Sequence, residues 1–250
     1  MRVALIAILL IAALPQPRMI TNSIGMELVL IHPGTLIVGR FEPSCPADST
    51  LCEEIVKRER RSGFTVTLPR PYYIGKYEVT QSEWMQVMGA NPSVFKEARR
   101  PVDSVTWDDA QRFVQRLNQR EKTTAYRLPT EFEWEYAARA GASSDPAWDE
   151  IRELAWEQDI ETMTTHPVGL KKANRWGLHD VLGNVWEWVG DYYNEKIFPD
   201  PEPPRHGTTH VLKGGGFLSD VKNTVYSTHA AGPGDGFDVG FRIVRDLPAK

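Results

Sequence analysis

Cysteine is scarce. The 250 residues contain two, Cys45 and Cys52, both inside Pro43-Ser44-Cys45-Pro46-Ala47-Asp48-Ser49-Thr50-Leu51-Cys52. A metal site built on thiolates needs further ligands at close spacing, which this stretch does not offer, so the pair reads as a local disulfide. Long apolar runs are equally scarce. Val3–Leu14 is unbroken for twelve residues, short of the roughly 20 that a membrane-spanning helix requires. Behind Arg2 it has the form of a secretory signal, so residues 1–17 are expected to direct export to the periplasm or beyond. No stable membrane span is then expected after the signal is removed. No Cys follows the run, which argues against a lipid anchor. An excess of positive charge is also missing, with 29 Lys and Arg against 33 Asp and Glu. A net charge of -4 gives no basic face for nucleic acid.

Tryptophan, glycine and proline are plentiful at 8, 19 and 18 residues, as in a loop-heavy fold pinned by large rings. Residues 18–250 read as one domain with a cysteine-bearing insertion at 41–62. Glu27–Ile31 and Thr35–Gly39 flank Pro33-Gly34 as a hairpin would. Lys57-Arg58-Glu59-Arg60-Arg61 reads as a solvated loop. Phe64–Leu68 and Tyr72–Val79 read as strands. Three helices follow, each announced by Thr and an acid three residues on: Thr80 with Glu83, Thr106 with Asp109, Thr130 with Glu133. Their apolar faces are Trp84, Val87 and Met88; then Ala110, Phe113, Val114 and Leu117; then Trp134, Ala137 and Ala138. Residues 142–182 show no sustained period. Strands are expected again at Thr209–Val211, Val225–Thr228 and Gly240–Val244.

The order and wording of these blocks are more specific than their periodicity. Pro71-Tyr72-Tyr73-Ile74-Gly75-Lys76-Tyr77-Glu78-Val79-Thr80 is followed by Pro101-Val102-Asp103-Ser104-Val105-Thr106-Trp107. Then come Arg127-Leu128-Pro129-Thr130-Glu131-Phe132-Glu133-Trp134-Glu135-Tyr136-Ala137-Ala138-Arg139 and Gly183-Asn184-Val185-Trp186-Glu187-Trp188. Gly214-Gly215-Gly216 and Gly240-Phe241-Arg242 close the series. From about Asn22 to Arg245 the chain resembles the formylglycine-generating, or sulfatase-modifying factor, family. The resemblance implies an α+β fold, a loop-rich and complex variant of the C-type-lectin type.

It also implies where chemistry is to be sought. The family's oxidase holds copper(I) between two thiolates that follow a Gly-Gly-Ser turn, and soft sulfur suits that ion. Matched to this chain, the two positions are Ser219 and Thr224, the Ser of the turn is Gly216, and a site-lining Arg falls at Gly232. Hydroxyls are poor copper(I) ligands, so no copper and no formylglycine-generating activity are expected. The family's calcium site maps to the side chains of Asp180 and Glu187 and the carbonyls of Gly183 and Val185. These are oxygen donors suited to a hard cation, and a structural calcium is expected there. A second family calcium site, near Leu154-Ala155-Trp156, has lost its first ligand to Leu154.

Other candidates carry less. His206 and His210 read as an exposed loop pair, since Gly207 and two threonines argue against a helix. Ser219, Asp220 and His229 would make a hydrolytic cluster only if the fold brought them together, and no Gly-x-Ser-x-Gly elbow is present. Trp134, Trp186 and Trp188 read as core; Glu131, Glu133 and Glu135 read as caps and surface charges. The trimmed segment Pro233–Asp238 borders the family's site. The expected role is an exported pseudoenzyme, a module presenting the 214–239 surface to an extracytoplasmic protein or glycan. The alternative is a periplasmic oxidative maturation enzyme of the same superfamily, pyoverdine-maturation-like or formylglycine-generating.

Overall fold

The three threonines do what their spacing predicts. Thr80, Thr106 and Thr130 each accept from the backbone N–H three residues on, and Glu83, Asp109 and Glu133 each accept back from the capping threonine's N–H. Each box satisfies amides that the first turn leaves open. The helices so started are Gln81–Met88, Trp107–Glu121 and Glu131–Arg139. Each ends on a left-handed residue: Gly89, Lys122 and Ala140.

In this computed structural model, residues 18–158, 160–197, 204–232 and 236–248 are described. The segment read as an export signal therefore lies outside the described residues, as do Pro233, Gly234 and Asp235. In chain order the elements are β1 (Met19–Thr21), β2 (Glu27–Ile31), β3 (Gly34–Val38), α1 (Thr50–Glu59), β4 (Phe64–Leu68) and β5 (Tyr72–Gly75). Next come α2, α3, β6 (Tyr126–Arg127), α4, α5 (Ile151–Leu154) and β7 (Trp186–Tyr192), with α2, α3 and α4 being the three capped helices. The chain closes with β8 (His210–Lys213), β9 (Ala230–Ala231), β10 (Val239–Phe241) and β11 (Val244–Asp246). Strands run β1-β2-β5-β11-β6 in one sheet, β10-β7-β8-β9 in a second, and β3-β4 as a separate ribbon.

Four expectations are corrected. β2 and β3 do not form a hairpin: β2 pairs with β1 and β5, whereas β3 pairs with β4. The continuous apolar run of β2 is buried on both faces, while β3 alternates as a one-sided ribbon strand does. The stretch expected to loop through Lys57 and Arg58 is instead the last turn of α1, where basic side chains offset the negative end of the helix dipole. Ser49 caps α1 and a disulfide joins Cys45 to Cys52 in its first turn. Val225–Thr228 is buried like a strand but is a turn, because Asp145 accepts from both the N–H and the hydroxyl of Ser227. Finally, Gly240–Val244 is not one strand. It splits into β10, parallel to β7, and β11, which lies between β5 and β6. Arg242 stands at the crossing between the two sheets.

Two apolar clusters fill the interior. Trp84, Phe113 and Phe241 pack α2, α3 and β10 together, with the Trp84 and Phe113 rings stacked at 5.6 Å. Trp134 and Ala137 of α4 pack on Ile74, Val189 and Val211. The larger of these side chains each contribute on the order of 1.5–3 kcal/mol by leaving water. Among the described residues no helix is long and apolar enough to cross a membrane.

Candidate functional site

Where the two sheets meet, three carboxyl groups surround one guanidinium. Arg242 is fully buried and clamps Glu187, with Nε donating to Oε2 at 2.7 Å and Nη2 to Oε1 at 2.6 Å. Trp134 Nε1 also donates to Glu187 Oε2, at 2.7 Å. Glu187 thus makes three hydrogen bonds and retains room for one further partner. Glu78 accepts from Asn184 Nδ2 at 2.7 Å and from the Val185 N–H at 3.2 Å. Asp180 accepts from the Gly169 N–H through Oδ2, while its Oδ1 is buried without a hydrogen-bond partner among the described residues.

Arg242 matches one carboxylate. The other two must be held protonated or be matched by a cation, because an unpaired buried charge is costly. Burial, then the charges of Asp180 and Glu187, push the Glu78 carboxyl well above its ordinary range. Burial also raises the Asp180 carboxyl, against the pull of the Gly169 N–H and Arg242. The arginine loses by burial but gains more from Glu187, Glu78 and Asp180, so its pKa rises.

The loop that carries these groups is bent by left-handed residues: φ is 51° at Asp180, 74° at Gly183 and 58° at Asn184. Asn184 pays for its strain through contacts on every side. Its N–H donates to Trp156 O, its amide to Glu78 and its Oδ1 accepts from the His166 N–H. The expected ligands Asp180, Gly183, Val185 and Glu187 therefore share one buried loop and strand start. The residues fit a hard cation in two respects, the all-oxygen donor set and the orphaned Asp180 Oδ1. Among the described residues no three His, Cys, Asp or Glu side chains converge as a metal cluster, so an ion here would draw on backbone oxygens.

The glycine turn stands beside this loop, with the Gly183 N–H donating to Gly214 O and the Phe217 N–H to Asn184 O. Ser219 and Thr224 both face Gly215: a Cβ there would lie 3.3 Å from Ser219 Cβ and 3.1 Å from Thr224 Oγ1. The fold thus brings the two positions together, but their hydroxyls are spent locally. Ser219 Oγ accepts from the Gly216 N–H at 2.9 Å, and Thr224 Oγ1 donates to Asp220 O at 3.0 Å. Gly216 is pressed against Asp238 and Trp186, and Gly232 is half-buried after β9.

With that geometry in place, comparison with known proteins is decisive. The profile of the sulfatase-modifying factor enzyme 1-like domain matches residues 15–247. The chain belongs to that family. Chaperone protein LppX of Paenibacillus barcinonensis is 34% identical over 229 residues, covering 70% of this chain and 80% of its own. The formylglycine-generating enzyme of Streptomyces coelicolor is 34% identical over 169 residues, 59% of this chain and 51% of its own. The chain spans 38% to 51% of the length of the formylglycine-generating enzymes it matches. Among solved structures, Treponema denticola variable protein 1 superposes with a TM-score of 0.75 at 24% identity, covering 93% of this chain and 100% of its own. PvdO of Pseudomonas aeruginosa gives 0.73 at 22% identity, with coverages of 93% and 100%. These likenesses establish the fold, the α+β, loop-rich C-type-lectin-like architecture expected of the family.

The sulfatase-modifying factor family member also holds a second buried polar chain, which sequence reasoning placed on the surface. Glu131 and Glu135 are not surface charges. Both lie 3.3 Å from the buried Lys213 Nζ, and Glu135 also pairs with Arg139 at 2.9 Å. His229 Nδ1 lies 2.7 Å from Glu131 Oε1 and its Nε2 lies 2.9 Å from Asn194 O. Both atoms it faces are acceptors. Burial works against the Glu131 charge, but Lys213 and His229 hold its pKa below the ordinary value. Asp191 nearby is pushed up to about 6 by burial. With His229 on Glu131 and Ser219 on Gly216, the weighed hydrolytic cluster does not form. His210 is also not exposed: it stacks on Trp107 at 3.7 Å and on Tyr192 at 4.4 Å, while His206 is exposed. Trp134 and Trp188 are buried as expected, and Trp186 is half-buried.

Proposed function

We propose that this family member is an exported, calcium-stabilised binding module that does not run the copper chemistry of its formylglycine-generating relatives. The observation that carries the reading is where the sulfur sits. Both cysteines of the chain are consumed in the Cys45–Cys52 disulfide beside α1, and the positions facing each other across the glycine turn hold Ser219 and Thr224. Hydroxyls bonded to their own backbone are poor substitutes for thiolates toward copper(I). The disulfide also fits an oxidising compartment outside the cytoplasm. A relative named a chaperone, matched over 70% of this chain, favours a role in which another protein is bound rather than oxidised.

In this reading Asp180 and Glu187, with the carbonyls of Gly183 and Val185, hold the ion. Calcium supplies charge: it neutralises carboxylates that Arg242 alone does not match, and it fixes a loop that has no regular ladder. Thermal unfolding in EDTA tests this, because unfolding releases the ion however slowly it exchanges. At a hundredfold excess over its Kd a ligand adds about 2.7 kcal/mol, so EDTA should lower the melting temperature by about 5–10 °C for a domain this size. Calcium, but not magnesium, should restore it, since magnesium resists an irregular oxygen cage. A melting curve indifferent to EDTA would contradict the reading.

A further inference from the structure

A cleft of about 870 Å³ opens beside the loop just described, lined by Arg152, Trp156, Glu157, His166, Lys171 and Leu218 among others. It has the size of a small-ligand site. Its floor is tied to the rest of the fold. Trp156 O accepts from the Asn184 N–H at 2.9 Å, and the Gln158 N–H donates to Ser219 O at 3.0 Å. The aromatic wall is held flat, with the Trp156 and His166 rings stacked at 3.7 Å and 16°.

The polar groups of the cleft are unequally served. Lys171 Nζ donates to Arg152 O at 2.6 Å and sits 4.2 Å from the centre of the Trp156 ring, so its charge is engaged. Arg152 lies 3.3 Å from Glu157 Oε1. The Glu157 side chain is only 1% exposed, yet its Oε2 has no hydrogen-bond partner among the described residues. Lys171 is thus engaged within the protein and Arg152 reaches Glu157 through Nε while its side chain stays 76% exposed toward solvent, and a buried carboxylate oxygen beside an aromatic wall is left for a donor. That combination selects a positively charged, partly apolar molecule.

We propose that this cleft binds a small organic ammonium ion, its N–H on Glu157 Oε2 and its apolar body against Trp156 and Leu218. The proposal gives a site to the binding module and rests on that reading, but it makes no use of calcium. Trp156 also gives the site a reporter, because its indole forms one wall.

Three probes of matched size and different charge provide the test: phenethylamine, 2-phenylethanol and phenylacetate. Each is titrated into the full protein in calcium by calorimetry, with tryptophan fluorescence as the second readout. Phenethylamine should bind with a Kd of about 1 mM or tighter, and the neutral and anionic probes should bind at least about tenfold more weakly. Glu157→Gln should remove that preference without moving the melting temperature in EDTA or in calcium. Lys171→Met, which leaves Glu157 in place, should keep it. Phenylacetate binding as well as phenethylamine would overturn the proposal in favour of an anion site at Arg152. Absence of binding by any probe would also overturn it. A cleft that fails while EDTA still lowers the melting temperature sinks this proposal alone, whereas an unchanged melting curve sinks the calcium reading.

Discussion

Replacing Arg242 with Met should cost about 3–5 kcal/mol of stability, or leave the chain unable to fold. Arg242 makes two charge-assisted bonds to Glu187 and also donates to the carbonyls of Gly75, His179 and Asp180, at 3.1, 3.1 and 3.2 Å. One guanidinium therefore joins the end of β5, the 179–180 loop and β7. Methionine fills a similar volume and satisfies none of these acceptors. It also strands Glu187 beside Glu78 and Asp180 with no cation from the protein. Breaking one side of a buried pair is costly because the other charge stays behind. Neutralising that charge should recover part of the loss, so the Glu187→Gln/Arg242→Met double variant should be more stable than the single one. Urea denaturation measures both. A single variant within about 1 kcal/mol of the parent would show that the acid cluster does not depend on Arg242.

Gly183→Ala should cost about 3 kcal/mol or more, because steric overlap adds to the usual left-handed penalty. The backbone there has φ 74°, and a Cβ would meet Trp156 O at 2.1 Å, Trp156 C at 2.7 Å and Trp156 N at 2.8 Å. These are backbone atoms, held by the Asn184 N–H, and they cannot swing aside. Gly177 supplies the control. Its φ is 92°, but a Cβ there meets nothing within 4 Å, so Gly177→Ala should cost only about 1–2 kcal/mol. The difference between the two variants, read by denaturation under identical conditions, isolates the close approach of the Asn184 loop to Trp156. Equal losses would mean that the loop yields and that the approach is not fixed.

The features legible in the sequence were the local ones. A capping box is closed within four residues, so Thr80, Thr106 and Thr130 announced their helices without help from elsewhere. The hairpin at Pro33-Gly34 failed because β2 finds its neighbours at β1 and β5, and β5 lies some forty residues away. Trp186–Tyr192 does not read as a strand because Glu187 interrupts its apolar character, and the partner that makes this tolerable, Arg242, lies 55 residues away. Glu131 and Glu135 read as surface charges for the same cause: Lys213 and His229, which make their burial tolerable, are about eighty to a hundred residues distant. The family blocks point to Asp180 and Glu187 together, and the structure sets them on one loop and the strand that follows it. They did not single out Glu78, whose position in Tyr77-Glu78-Val79-Thr80 was its only signal.

Metal analysis of the mature protein, purified from an oxidising compartment without chelators, tests the central claim most directly. The account predicts close to one calcium per chain and no stoichiometric copper or iron, with the calcium lost in Asp180→Ala and retained in Ser219→Ala. Stoichiometric copper or iron that disappears on changing Ser219, Thr224 or His229 would contradict it and would place redox chemistry at the glycine turn.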